Sequence, residues 1–232
     1  MDKALYVREM FASVAPRYDF VNRLLTAGID EQWRRRAVRE LALGPKSSVI
    51  DLCCGTGDVS FQLLKRDPTT QIVGLDFCTP MLEGARRRAL AIANAQQISF
   101  VEGDVLALPY PDDSFDGAIM GFSMRNVVDL DGCLREVKRV LHPGRRFVNL
   151  DVSQAPNPFF RAMFRAYFYG LVPLLGGLFG GAKAAYRYLP SSLTNFPPTH
   201  ELADRFRAAG FIEVRSIALA GGAIALHVGA AP

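Results

Sequence analysis

The sequence has little with which to hold a metal ion. Its four cysteines are Cys53, Cys54, Cys78 and Cys133, none in a C-x-x-C pair, and its three histidines are His142, His200 and His227. No spacing among them matches a tetrahedral zinc site, so no metal is expected. Adjacent Cys53 and Cys54 are poor disulfide partners, and the default expectation is a reduced, cytoplasmic setting. Met1-Asp2-Lys3-Ala4 leads directly into amphipathic sequence, without the apolar core of a signal peptide. Low-complexity tracts are missing too, which argues against extended disorder. The charge surplus is small, +4 in 232 residues. A basic surplus suits nucleic acid or an anionic membrane. However, no added basic or aromatic module of a nucleic-acid enzyme is present, and nucleic acid is not an expected partner. The arginines cluster at Arg34, Arg35, Arg36 and Arg39 and again at Arg86, Arg87 and Arg88, as on outer helix faces.

What the chain does have is apolar residues, half of the total, enough for one large core. Val7, Met10, Phe11 and Val14 recur at helical spacing. Pro16 interrupts them, Ala27-Gly28 marks a turn, and a second helical stretch runs through Trp33 and Val38. Residues 1–44 therefore read as an N-terminal helical extension. From Ser47 the pattern changes to short apolar runs typical of buried parallel strands: Val49 to Leu52, Ile72 to Leu75, Ile98 to Val101, Phe115 to Phe122 and Phe147 to Val152. Helices are expected from Asp58, from Thr79-Pro80 with Thr79 as cap, and over Leu134 to Leu141 with a stop at His142-Pro143-Gly144. This alternation over 45–155 predicts an α/β fold with a mostly parallel sheet covered on both faces, binding ligands at the carboxyl ends of its strands.

Residues 156–198 break the alternation. They are rich in leucine and aromatics, among them Phe159, Phe160, Phe164, Phe168 and Leu171, and carry no charge from Ala166 to Ala182. Pro173 and five glycines argue against a lone membrane-spanning helix. Either a helical cap over the site, within reach of lipid, or a core-packed insert fits. The remainder, 199–232, reads as a helix from Thr199 to Ala209 and two closing strands, Phe211 to Leu219 and Ala223 to Val228, paired antiparallel through Ala220-Gly221-Gly222. The whole chain is then one domain.

The chemistry centres on Asp51-Leu52-Cys53-Cys54-Gly55-Thr56-Gly57-Asp58, a strand ending in a glycine loop before a helix. Such a loop lets backbone approach a ligand closely. A dinucleotide fingerprint wants a third glycine where this chain has Ser60, so the loop favours a sulfonium nucleoside, which has no pyrophosphate to seat. Asp76, at the end of the second strand, can accept from both ribose hydroxyls. Asp104 follows the third strand and can take an exocyclic adenine amine, with the adjacent amide of Val105 for a ring nitrogen. Asp58 either caps the following helix or reaches the ligand.

Together with Gly74-Leu75-Asp76 and Gly103-Asp104 plus Leu108-Pro109, the loop resembles class I methyltransferases. More narrowly, the chain resembles the quinone C-methyltransferases of the UbiE/MenG type. Tyr18-Asp19-x-x-Asn22, Met124-Arg125-Asn126-Val127, Arg139-Val140-Leu141-x-Pro143-Gly144 and Tyr188-Leu189-Pro190 carry the resemblance across nearly the whole chain. It implies a Rossmann-like sheet of seven strands and S-adenosyl-L-methionine as cofactor. Asp51, Gly55, Thr56, Gly57, Asp76, Phe77, Asp104, Val105 and Gly121 form the expected binding set. The implied reaction is methylation of a ring carbon on a prenylated hydroquinone, with demethylmenaquinol as the first choice of acceptor and a demethoxy-type benzoquinol or another small molecule as the alternative. Arg125 would stabilise oxyanion character, while Asn126 and Tyr18 orient the ring. Against these roles, Arg125 can pair with Asp19 or Asp129, and Tyr18 can simply pack. Departures from the family pattern are Gly121 where serine is frequent, Ser123 where glycine is common, Arg145 in place of a second glycine, Asp151 near a frequent glutamate, and Val228 for a basic residue. A peripheral membrane contact would suit a prenylated substrate. The non-enzyme alternative is a cofactor-binding scaffold in a quinone-synthesis complex.

Overall fold

The computed structural model describes residues 3–155 and 196–232, together with 159, 161–162 and 166–171. Three helices come first: α1 (Lys3–Val14), α2 (Tyr18–Thr26) and α3 (Asp30–Glu40). Pro16 converts the α1–α2 junction into a 3-10 turn, Ala15–Arg17, because proline cannot donate to the helix ladder. Ala27 ends α2 in the left-handed conformation.

Alternating units follow: β1 (Ser48–Leu52), α4 (Asp58–Arg66), β2 (Gln71–Asp76), α5 (Thr79–Ala89), β3 (Ile98–Glu102), β4 (Phe115–Gly121), α6 (Leu130–Val140) and β5 (Leu141–Val152). After residues outside the description come α7 (Thr199–Ala208), β6 (Ile212–Leu219) and β7 (Ile224–Ala230). The seven strands form one sheet in the order β3-β2-β1-β4-β5-β7-β6. The pairs among β1 to β5 are parallel, and β7 runs antiparallel between β5 and β6. The chain winds outward from β1 through β2 to β3, then returns to place β4 on the other side of β1. That reversal opens a crevice beyond the carboxyl ends of β1 and β4, where ligands bind in such sheets.

Strand alternation divides the core in two. Ile50, Leu52, Met120 and Phe147 meet α6 and α7 on one face, through Leu134, Val137 and Phe206. Val49, Ile119 and Val148 meet α3 and α4 on the other, through Val38, Leu63 and Leu64. A smaller cluster of Met10, Val14 and Val21 with Cys78 and Met81 seats the N-terminal helices on α5.

Several local expectations need correction. Thr79 is the first residue of α5 rather than its cap; the cap position is Cys78, and the Thr79 hydroxyl bonds Glu102. Asp58 does not cap α4 either, since Gly57 holds that position and Asp58 turns to Arg34 and Arg88. Helix α6 begins at Leu130, because Asp129 accepts from the Gly132 amide and caps it. His142-Pro143-Gly144 is no stop before a loop. It lies inside β5, where the register against β4 shifts and Gly144 donates to the carbonyl of Ala231. His142 is thus a strand residue. The expected cap over 156–198, including Phe160, Phe164 and the Tyr188-Leu189-Pro190 motif, lies outside the described residues, apart from isolated positions and a π turn at Tyr167–Leu171.

Candidate active site

Two adjoining cavities occupy the crevice. The first is walled by Phe77, Met81, Asp104, Val105 and Leu106, with Gly55, Asp76 and Asn126 at its polar end. The second, about 350 Å³, lies under α1 to α3, between Met10, Val14, Leu25 and Trp33 on one side and Asp51, Thr56, Gly121 and Arg125 on the other. That volume is within the usual range for a small-molecule site. Tyr18, Phe11, Cys53, Gly55, Phe122 and Ser123 line both.

The glycine loop separates two tasks. Gly55 has φ +56°, and a Cβ there would meet no atom within 4 Å, so its backbone is the open floor of the cavities. Gly57, at φ +85°, lines neither cavity; it is the left-handed turn that starts α4, packed against Phe61 and Phe100. Ser60, in the place of a third glycine, donates from its hydroxyl to Asp51 Oδ2 at 2.6 Å. Burial pushes the Asp51 carboxyl up to about 7, against the hydrogen bonds from the Ser60 hydroxyl and amide. Its Oδ1 is buried without a partner among the described residues.

Asp76 accepts from the amides of Gly55 and Cys78, each at 2.8 Å, which fixes the loop to the end of β2. Burial raises it to about 6, with those amides pulling the other way. Asp104 is exposed, and one of its oxygens accepts from the Leu106 amide in a tight turn. The Cys53 and Cys54 thiols are pushed well above their ordinary value by burial, and protonated thiols are poor nucleophiles.

Arg125 and Asn126 sit on a 3-10 turn, Met124–Asn126, directly after β4. The guanidinium partner is neither Asp19 nor Asp129. Arg125 Nη1 pairs with Asp151 Oδ1 at 2.5 Å and also donates to the Phe122 carbonyl, while its amide donates to Asp151 Oδ2. Asp19 is taken by Thr56 and Arg88, and Asp129 by its cap. Arg125 faces the second cavity and Asn126 the first, so the turn spans both. Asn126 Oδ1 is buried and unpartnered among the described residues. Burial raises the Tyr18 hydroxyl, opposed by a hydrogen bond with Asn22 and by the charges of Arg125 and Arg34. Of the histidines, His227 is buried in β7 with Nε2 on the Thr199 carbonyl, and His200 is exposed; neither lines a cavity.

A family model described as the ubiE/COQ5 methyltransferase family matches residues 1–231. The chain belongs to this family. It is an S-adenosylmethionine-dependent methyltransferase. A Thermus thermophilus relative, demethylmenaquinone methyltransferase, is 46% identical, covering 96% of this chain and all of that one. A Deinococcus radiodurans protein of the same description is 44% identical, covering 98% and 93%. At the level of fold alone, a SAM-dependent methyltransferase of Thermotoga maritima superposes with TM-score 0.69 at 21% identity, covering 97% of this chain and 99% of that one.

The methyltransferase's own atoms fit its cofactor. An ammonium and a sulfonium call for acceptors and offer no phosphate. The unpartnered oxygen of Asp51 supplies an acceptor at the cavity wall, and Ser60 occupies the position where a pyrophosphate loop would need close helix approach. Motif reading did not anticipate Asp151 as the partner of Arg125. It also missed the ionic contacts that join Asp19, Asp58, Arg34 and Arg88. Asp19 was inside a quoted motif, but its partners are 37 and 69 residues away, beyond any local pattern.

Proposed function

We propose that this methyltransferase methylates a ring carbon of a prenylated naphthohydroquinone, converting demethylmenaquinol to menaquinol. The observation that carries the reading is the second cavity, where Met10, Phe11, Val14, Leu25 and Trp33 of α1 to α3 give an apolar wall opposite Arg125 of the Met124–Asn126 turn. The relatives described as demethylmenaquinone methyltransferases support the same acceptor. In this reading Phe77, Met81 and Val105 flank the adenine, Asp104 and the Val105 amide take its polar edge, and Asp76 takes the ribose. Asp51, Gly55, Thr56 and Gly121 border the methionine part, with Gly57 shaping the turn. S-adenosylmethionine supplies, when bound, an electrophilic methyl group on sulfur.

The remaining work belongs to the chain. An aromatic carbon is nucleophilic once a neighbouring hydroxyl approaches the oxyanion, so the site must orient the ring and stabilise negative charge. Tyr18, kept protonated by burial, donates to a quinol oxygen. The Asn126 carbonyl oxygen accepts from a quinol hydroxyl. Arg125 stays charged and is not a base; its field, oriented by Asp151, favours the ionised quinol, whose hydroxyl proton passes to water. Loss of the ring proton after methylation restores the aromatic quinol, so that one proton is released overall.

The prenyl tail invites a membrane contact. No helix among the described residues is long and apolar enough to cross a bilayer. The exposed Leu5, Phe20 and Leu24 of α1 and α2 suit a peripheral contact instead. Flotation with anionic liposomes checks this; protein that stays with the soluble fraction at low salt rules the contact out.

The decisive assay incubates the protein with methyl-labelled S-adenosylmethionine and a reduced, short-tailed demethylmenaquinol, with a demethoxy-type benzoquinol in parallel. Label on the naphthoquinol carbon is expected. Label on the benzoquinol alone would move the acceptor class, and none on either, with cofactor binding intact, would favour a scaffold role.

A further inference from the structure

Asp19 touches neither cavity, yet it joins the helix that bears Tyr18 to the glycine loop. Its Oδ1 accepts from the Thr56 hydroxyl at 2.5 Å, and Thr56 is 3% exposed. Its Oδ2 pairs with Arg88 Nη1 of α5 at 3.0 Å. The same guanidinium donates to the Thr56 carbonyl at 2.9 Å and pairs with Asp58 of α4 at 2.7 Å. Asp58 pairs in turn with Arg34 of α3 at 3.2 Å. Arg34 is fixed by Asp30 and lies 5.3 Å above the Phe122 ring, a wall of both cavities. The contacts therefore run from α2 through the loop and back to α3. Acids and arginines alternate along them, so each charge has an opposite neighbour, and the arrangement is rigid where a single exposed pair would not be.

Apolar packing seats the N-terminal helices on α5 but does not reach the loop. Thr56 is the point at which those helices grip it by both hydroxyl and carbonyl, directly and through Arg88. A ligand that orders the loop must then order α2, and one that orders α2 must order the loop, because coupling between sites is reciprocal.

We propose that Asp19 is a positioning residue that latches α2 to the glycine loop, so that the cofactor and acceptor sites close as one unit. This rests on the reading that Tyr18 and Asn22 wall the acceptor cavity. Thr56→Val removes the hydroxyl at nearly constant volume, and Asp19→Asn removes the charge that holds Arg88. Val21→Ala, which thins the buried packing of α2 without touching the latch, controls for general loosening.

The probe is S-adenosylhomocysteine. Its affinity is measured by calorimetry, and the hydrogen exchange of amides 18–26 is followed with and without it. Wild-type protein should bind it and slow exchange across α2. T56V and D19N should weaken binding about tenfold, as expected for one charge-assisted hydrogen bond, and abolish the slowing. V21A should lower the melting temperature and keep the slowing. The double variant should weaken binding by less than the sum of the two single losses, because both act on the coupled contacts among Asp19, Thr56 and Arg88. Unchanged slowing of α2 in T56V and D19N, or additive losses in the double variant, would overturn the latch. A wild-type protein that binds no S-adenosylhomocysteine would overturn the cofactor site itself. Normal binding and latching in a protein inactive on either quinol would leave the latch standing while removing the acceptor reading.

Discussion

Asp51 is held in a place that disfavours its charge. It is 1% exposed at the end of β1, with one oxygen on Ser60 and the other unpartnered among the described residues. Its carboxyl is raised from 3.8 to about 7, so the neutral form is preferred in the folded protein. The stabilisation from that preference is complete below pH 3.8 and is lost as pH rises through about 7. Asp51→Asn has no such loss. The melting temperature of D51N relative to wild type should therefore climb between pH 4 and pH 7 and level off above, read by calorimetry of the ligand-free protein. A cationic ligand reverses the preference, so affinity for S-adenosylmethionine should fall in wild type as pH drops below about 7. Binding there should release a proton; identical heats in buffers of different ionisation enthalpy would contradict this. Arg125 and Asp151 form a second charged feature, with side chains 6% and 2% exposed. Arg125→Ala leaves a buried carboxylate unbalanced and should cost about 3–5 kcal/mol in urea unfolding. Asp151→Asn leaves the buried guanidinium without its counter-charge, so it too should lose stability in urea unfolding. Steady-state assay should also show a lower kcat, because the guanidinium loses the group that orients it.

At the scale of elements, the two glycines of the loop make opposite demands. An alanine at Gly57 would adopt a left-handed backbone costing about 1–2 kcal/mol, and its Cβ would press on the Phe61 and Phe100 rings at 3.1 Å. G57A should therefore lose stability first, seen as a lower melting temperature without ligand. An alanine at Gly55 meets no protein atom and points into open space. G55A should bear the backbone strain alone, and lose more affinity for S-adenosylmethionine than stability. Equal losses of affinity and stability in both variants would mean that the loop does not divide its tasks in this way. Elements also show where local reading fails. Leu130-Asp131-Gly132 resembles a turn, but Asp129 captures the Gly132 amide and brings those residues into α6. His142-Pro143-Gly144 has the composition of a stop. The amide of Gly144 and the carbonyl of Arg145 instead bond Ala231, so the far end of the chain draws the segment into β5.

For the whole molecule, the order of the last two strands matters most. β7 is buried along its full length because it lies between β5 and β6, while β6, earlier in the chain, forms the edge. Deleting residues 224–232 would thus remove an interior strand, and the truncated chain should fail to unfold cooperatively on heating. Ligand binding gives the complementary measure. S-adenosylhomocysteine at one hundred times its dissociation constant should add about 2.7 kcal/mol of stability. A melting temperature unchanged by saturating ligand would mean that the folded protein does not bind it.

The sequence by itself determined the helical start, the alternation that builds a parallel sheet, the glycine loop, and the carboxylates at the strand ends. These depend on periodicity and on residues close in the chain, where conformational preference is set by neighbours. It also placed Arg125 and Asn126 at the crevice, since both directly follow a strand. Only the tertiary structure decided what those groups face: Asp151 against Arg125, Thr56 and Arg88 against Asp19, and β7 inside β6. Each of these depends on packing between segments far apart in the chain, where burial strengthens a charge pair and selects one partner from several with the same local chemistry.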